Sequence, residues 1–496
     1  MNKNMNKNTG ISEQAWPFLD WSLIQAGNIE FIENIYHDDK PPLRLPSPKF
    51  HDVPYGISIK QQKAEKTPFW LKADKPWESM RINSYLTVIY ENGTYRLWYD
   101  SLCFDSDDTD YHNKYHSTKL CYAESLDGIN WKKPVLGLVE YEGNNQNNIV
   151  FDHKTKGGGY DGGSVFLDPV APSSERYKLI NLGWEKDKWV VRGAVSSDGL
   201  FWTPIAEPIL DDYASDTQTV AYYDRQLATY VGYFRGKTTD GFSNSYSRRG
   251  IARAVTKDFR RWPIPETVLV PGINQHPSHD FYTNAHTLYP GRDDWHLMFP
   301  SQFGREKDSF EVYLATSRDG KMWEYFGNYP VVPLGEKGSG QEGIICAGCG
   351  LVPLGKDRFA LPCCGFPITH GDYFPGAKDY AGGYFWATWK KDRLVAIEAP
   401  EQGAFSLPVL TLKTARLYLN LFTKPGGEIR VQLSDDKGAP IPGYTFSDCN
   451  PITGDSLDHL VTWKADSDLT RIPEKPIVIQ FCLRQAKIYS LQFRVR

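Results

Sequence analysis

Apolar residues in this chain come in short bursts set off by Gly, Pro, Asp and Asn, and a sustained three-to-four spacing is nowhere evident. That texture predicts strands and tight turns rather than helices. Five times a carboxylate opens a short apolar strand, which turns and returns as a second strand ending in aromatics. The copies begin Glu78-Ser-Met-Arg-Ile-Asn, Asp161-Gly-Gly-Ser-Val-Phe, Asp216-Thr-Gln-Thr-Val-Ala, Asp280-Phe-Tyr-Thr-Asn-Ala and Glu342-Gly-Ile-Ile-Cys-Ala. Returning strands include Tyr95-Arg-Leu-Trp-Tyr and Tyr230-Val-Gly-Tyr-Phe-Arg235. The acids are 83, 55, 64 and 62 residues apart, from Glu78 through Asp161, Asp216 and Asp280 to Glu342. A strand unit recurring at that period signals radial repetition rather than one large sandwich.

A second repeat keeps step with the first: Ser125-Leu-Asp-Gly-Ile-Asn-Trp131, Ser197-Asp-Gly-Leu-Phe-Trp202, Thr256-Lys-Asp-Phe-Arg-Arg-Trp262 and Ser317-Arg-Asp-Gly-Lys-Met-Trp323. Asp-Gly supplies the positive φ of a hairpin, and the Trp anchors the turn in the core, so these segments read as structural. The first repeat is lengthened by a polar insertion, Ser101 to Thr118.

The predicted fold class is all-β, a five-bladed β-propeller followed by a small β-sandwich domain. Residues 1–75 are Pro-rich and irregular, an N-terminal extension able to lend the propeller a closing strand. Blades fill 76–398. From 399 to 496 the acids stop recurring and alternating strands appear, as in Glu428-Ile-Arg-Val-Gln-Leu, which predicts a sandwich of about seven strands.

Composition narrows the function. The net charge is −4 over 496 residues with both signs interspersed, which predicts neither a nucleic-acid partner nor an anionic-membrane surface. No apolar run approaches the ~18 residues of a membrane helix. The N-terminus has no apolar segment behind its basic start, so no signal peptide is visible, and the eight cysteines read as reduced thiols of a cytoplasmic protein. Cys346, Cys349, Cys363 and Cys364 have a zinc-like count but lie on paired strands, where neighbours face opposite ways, so buried small apolar residues are the better reading. No cofactor and no metal ligand set is demanded, and the oligomeric state is open. Fifteen Trp and 29 Tyr offer flat faces that suit sugar rings as well as β-rich cores.

Five acids aimed into one mouth suit glycosidic bond cleavage, which needs one protonated and one ionised carboxyl group. Crowding raises some carboxyl pKa values by repulsion. Over residues 76–398 the pattern resembles the five-bladed propeller superfamily of glycoside hydrolases, notably families 32 and 43. The resemblance implies Glu78 as base or nucleophile, Asp161 as the acid that orients and tunes, and Asp216 as general acid, with Asp280 and Glu342 as live substitutes. Asp168, in a tempting Asp-Pro pair, lies seven residues beyond Asp161, roughly 23 Å along a strand, and is rejected.

Arg235 and Arg305 are candidate grips for an acidic group, and His279, His286 and His370 for sugar hydroxyls. His370 belongs to a long loop with Asp372 and Tyr373. Gly157-Gly-Gly-Tyr-Asp-Gly-Gly163 lacks a following Lys or helix, so it is no phosphate loop. The expected activity is exo-acting hydrolysis of a short oligosaccharide or glycoside. The alternatives are a glycoside phosphorylase, with Arg235, His279 and Arg305 as its basic cluster, and a non-catalytic carbohydrate-binding propeller.

Overall fold

The computed structural model describes residues 14–30, 49–103, 118–152, 160–185, 188–238, 247–371, 382–411, 416–464, 469 and 476–494. Most of the polar insertion, Gly157 to Gly159, and the pair Asp372 and Tyr373 lie outside them. Among the described residues, regular structure is strand with short 3-10 turns. No helix there is long and apolar enough to cross a membrane.

The chain divides into two units, residues 63–389 and residues 1–62 with 390–496. The first unit has a propeller-like arrangement of antiparallel sheets. One four-stranded sheet holds Arg81–Glu91, Thr94–Leu102, Thr118–Ser125 and Ile149–Phe151, and the next holds Asp161–Leu167, Tyr177–Glu185, Lys188–Ser196 and Thr203–Pro204. The third holds Val220–Asp224, Thr229–Lys237, Arg249–Thr256 and Glu266–Leu269. The fourth holds Thr287–Leu288, His296–Met298, Leu314–Ser317 and Glu324–Phe326.

Instead of a fifth separate sheet there is one of eight strands. It runs His279–Thr283, Ser301–Gly304, Ser309–Val312, Ile344–Ala347, Arg358–Phe366, Gly383–Lys390 and Glu65–Lys66, with Val352–Leu354 alongside Arg358–Phe366. Pro300 accounts for the difference. It has no N–H for the ladder and interrupts the fourth copy's second strand, so that copy's strands split between two sheets. A single parallel pair, Phe310 with Ile344, then joins its upper part to the fifth copy.

Innermost segments meet one another directly. Gln218 Nε2 donates to the carbonyls of Leu86 and Gly163, at 3.0 and 3.1 Å, and the Asn284 amide reaches the Gln218 carbonyl. The Cys349 N–H donates to Leu86 O at 2.8 Å. The approach is close at Gly162, where φ is +62° and an added Cβ would stand 2.6 Å from the Thr217 carbonyl oxygen. Apolar clusters fill the wedges between sheets, such as Trp98, Leu120, Tyr177 and Leu179. The Asp-Gly turns seal the rims. In three of them a Ser hydroxyl accepts the Gly N–H at 2.9 Å, at Ser125, Ser196 and Ser317.

The second unit is built on one seven-stranded sheet, in the order Asp455–Leu460, Arg416–Asp435, Pro476–Arg494, Val395–Ser406 and Ser58–Gln61. Trp16–Pro17 and Leu410–Thr411 pair with Pro476–Arg494. Arg416–Asp435 and Pro476–Arg494 run on through register shifts such as Thr423/Glu428 within this one sheet of seven strands. Leu417, Leu419, Val431, Phe481 and Leu483 belong to its core. The N-terminal extension is thus shared: Ser58–Gln61 joins this sheet, whereas Glu65–Lys66 completes the eight-stranded one.

Candidate active site

The starts of the inner strands gather a polar cluster. Asp161 begins its strand and is buried; Asp216 stands four residues ahead of Val220–Asp224 and is half-buried. The buried Tyr85 phenol feels both. Burial, Tyr282 and the carboxylates of Asp216 and Asp161 push its pKa far up, so it stays a neutral hydroxyl, with Arg235 opposing.

Arg235 is buried and grips backbone. Its guanidinium donates to Tyr282 O at 2.8 Å and Phe281 O at 3.3 Å, and to the Asp216 carbonyl. It lies 4.7 Å from the Tyr282 ring centroid, and Arg249 lies 5.2 Å from the same ring. The Tyr282 hydroxyl meets His370 Nε2 at 3.2 Å. Burial lowers the His370 pKa, Arg249 and Arg81 act in the same direction, and Asp308 and Asp216 oppose them. Asp161, Asp216, Arg235 and His370 are therefore brought into one neighbourhood, with Tyr85, Tyr282, Arg249 and Arg81.

Asp280 belongs beneath that cluster. Its carboxylate is fully buried and receives four charge-assisted or backbone bonds. Arg249 N–H and Nη1 donate at 2.7 and 2.9 Å, and Arg305 Nε and Nη2 at 2.9 and 3.0 Å. A carboxylate so saturated holds the two arginines in place. Arg305 is committed to the same clamp.

Four expected site residues go elsewhere. Glu78 does not open the first inner strand, because a 3-10 turn, Pro76–Glu78, precedes Arg81. Its buried carboxylate accepts the Tyr99 hydroxyl at 2.6 Å, Lys133 Nζ at 2.7 Å and the N–H groups of Asp74 and Lys75. Glu342 turns back on its own loop and accepts the Gly338 N–H at 2.9 Å. Its burial favours the neutral acid, but backbone N–H groups outweigh that and hold its pKa down. His286 is a core residue, stacked 4.6 Å from Tyr222 and 3.3 Å from His296 Nδ1. Burial, then His296, keeps it neutral. His279 meets Glu306 Oε1 at 3.0 Å. Asp168 is buried, accepting the Tyr230 hydroxyl at 2.7 Å with Lys178 nearby.

One acid escaped the sequence reading. Asp100, two residues before the end of the first returning strand, is fully buried. It accepts the Tyr160 hydroxyl at 2.6 Å and the Gly162 N–H at 3.0 Å. Burial, then the Asp161 charge, pushes its carboxyl well above the usual range, against those two hydrogen bonds. The available signal was Tyr95-Arg-Leu-Trp-Tyr-Asp100, an acid closing an aromatic run, but no other copy repeats it.

No protein-family model matches the chain, and no curated protein matches it. Solved structures resemble it loosely. One described as a glycoside hydrolase is 14% identical with a TM-score of 0.46, covering 66% of this chain and 92% of that one. A thermostable family-43 glycoside hydrolase is 12% identical, TM-score 0.42, covering 64% and 93%. A beta-1,2-mannobiose phosphorylase from Listeria innocua is 11% identical, TM-score 0.43, covering 67% and 96%. Identities and TM-scores this low identify neither activity nor substrate.

Proposed function

We propose that residues 63–389 form a five-bladed propeller and that its strand-start mouth cleaves a glycosidic bond. The fifth blade is Ile344–Ala347 with Val352–Leu354, Arg358–Phe366, Gly383–Lys390 and Glu65–Lys66, set off from the fourth by the lone parallel pair. One observation carries the chemistry: Asp161 and Asp216 adjoin Gly162 and Thr217, where a Cβ on Gly162 would stand 2.6 Å from the Thr217 carbonyl oxygen, so the two acids come from touching inner segments. In this reading the two carboxyl groups divide the acid and base work. Arg235 fixes the Asp216 backbone, and Asp100 with Tyr160 positions Asp161. Tyr282 and His370 meet substrate hydroxyls. The substrate class is a short oligosaccharide or glycoside, attacked from its end.

A panel of aryl glycosides and oligosaccharides, furanosides included, tests this with and without phosphate. Asp161→Asn and Asp216→Asn are each expected to lower kcat by ~10²–10⁴-fold. The variant that loses the acidic limb of the pH–rate profile marks the base, and the one that loses the alkaline limb marks the acid. Losses under ~10-fold in both would count against the assignment. A second reading, phosphorolysis, is favoured by the cationic groups Arg81, Arg235 and Arg249 around His370, and turnover only with phosphate selects it. Saturable sugar binding without turnover on any substrate would favour a carbohydrate-binding module.

A further inference from the structure

His276 and His279 lie at the entry to His279–Thr283, and Glu306 lies on the turn after Ser301–Gly304. One ligating atom from each lies within 4.8 Å of the others. His279 Nε2 and Glu306 Oε1 are already 3.0 Å apart, so a small outward shift reaches the ~3.4 Å edge of a tetrahedron with metal–ligand distances of ~2.1 Å. Ser278 links the other pair: its hydroxyl meets His276 Nδ1 at 2.7 Å and donates to Glu306 Oε2. The backbone adds Arg305 N–H to Ser278 O at 3.3 Å.

We propose that these three side chains bind a first-row divalent transition cation of the zinc class, and that the cation fastens the 276–279 loop to the 304–309 turn. The inference does not depend on the carbohydrate reading. Two imidazoles and one carboxylate suit zinc, nickel or copper, whereas magnesium and calcium prefer all-oxygen sets. Three protein ligands on an exposed rim leave a fourth position for water. The position gives the site leverage. His279 and Glu306 each adjoin a member of the Asp280–Arg305 pair, so a bound ion stiffens the backbone that holds the arginine clamp. Affinity is moderate for a stated reason. Giving Nε2 to a metal moves the ring proton of His279 to Nδ1, which is buried with no hydrogen-bond partner among the described residues. Missing outer-shell support of that kind weakens a site by ~10–100-fold.

The test is calorimetry and thermal unfolding of the full chain, stripped with chelator, then titrated with zinc chloride or magnesium chloride. Zinc is expected to bind at one equivalent and raise Tm, and magnesium to do neither. His276→Gln/Glu306→Gln is expected to lose more than ~100-fold in zinc affinity, beyond what an outer-shell loss costs. Ser278→Ala, which removes the hydroxyl bridge but keeps all three ligands, is expected to bind zinc within ~10-fold of the parent. A parent that binds no zinc at one equivalent overturns the site. So does zinc binding that persists in the double variant, which would place the ion on other histidines. Loss of binding in Ser278→Ala alone would reduce the cluster to a hydrogen-bonded turn.

Discussion

Asp100 and Asp280 are both fully buried acids, yet they have different partners. Asp280 has two guanidinium groups against it and serves as their counter-charge. Burial and the neighbouring Asp161 charge make the Asp100 proton hard to remove, against the Tyr160 hydroxyl and the Gly162 N–H that favour the carboxylate. A carboxyl whose folded pKa is raised holds its proton more tightly than in the unfolded chain. Its contribution to stability is full below the unfolded value and is lost as pH rises through the folded value. In urea unfolding, the parent's stability minus that of Asp100→Asn is therefore expected to shrink as pH climbs from about 4 toward neutrality. A pH-independent difference would remove the proton-holding role. Asp161 and Asp216 stand out in the sequence because both head repeated segments. Asp100 does not, because it lies within a returning strand whose copies carry no acid at that position, and Glu78 is carried toward Lys133 by the turn after Pro76 before the strand begins.

Among elements, the Asp-Gly turns were legible at once, since their chemistry is local. Ser hydroxyl, Asp carboxylate and left-handed Gly close the hairpin with atoms at most a few residues apart. At Gly199 packing adds to backbone: φ is +77° and a Cβ would stand 2.7 Å from the Trp98 ring. Gly93, at φ +82°, has nothing within 4 Å of such an atom. Gly93→Ala is expected to cost ~1–2 kcal/mol from the left-handed backbone alone. Gly199→Ala is expected to cost a further ~1–3 kcal/mol from overpacking. Chemical denaturation of the two variants checks the ordering, and equal costs would mean the Trp98 ring moves aside freely. The split of the fourth copy at Pro300 was visible as a residue but not as a consequence, because pairing depends on which neighbouring strand accepts the freed edge.

The Pro-rich extension reads as able to lend a closing strand, but only the structure shows which residues do so: Glu65–Lys66 pairs with Ala387 and Thr388, more than three hundred residues on. Thr67 holds the join with two bonds to Trp386: its N–H donates to the carbonyl and its hydroxyl accepts the N–H, both at 3.0 Å. Thr67→Pro removes both and is expected to free the edge of Gly383–Lys390 for pairing between molecules. Light scattering should then give a concentration-dependent rise in mass over the parent, with Thr67→Ser unchanged. A Thr67→Pro protein matching the parent in mass and Tm would show that closure rests on other contacts.

The turn tryptophans carry a consequence of another kind. Trp131 and Trp262 donate their indole N–H to Gly128 O and Phe259 O, at 3.1 and 2.8 Å. Those of Trp202 and Trp323 are buried with no hydrogen-bond partner among the described residues. Successive repeats thus alternate between bonded and unbonded indoles at equivalent positions, and indole emission responds to that difference. Fifteen tryptophans share the emission, so the difference between the parent and a Trp→Phe variant at each of these four positions would read the loosening of one sheet apart from that of its neighbour.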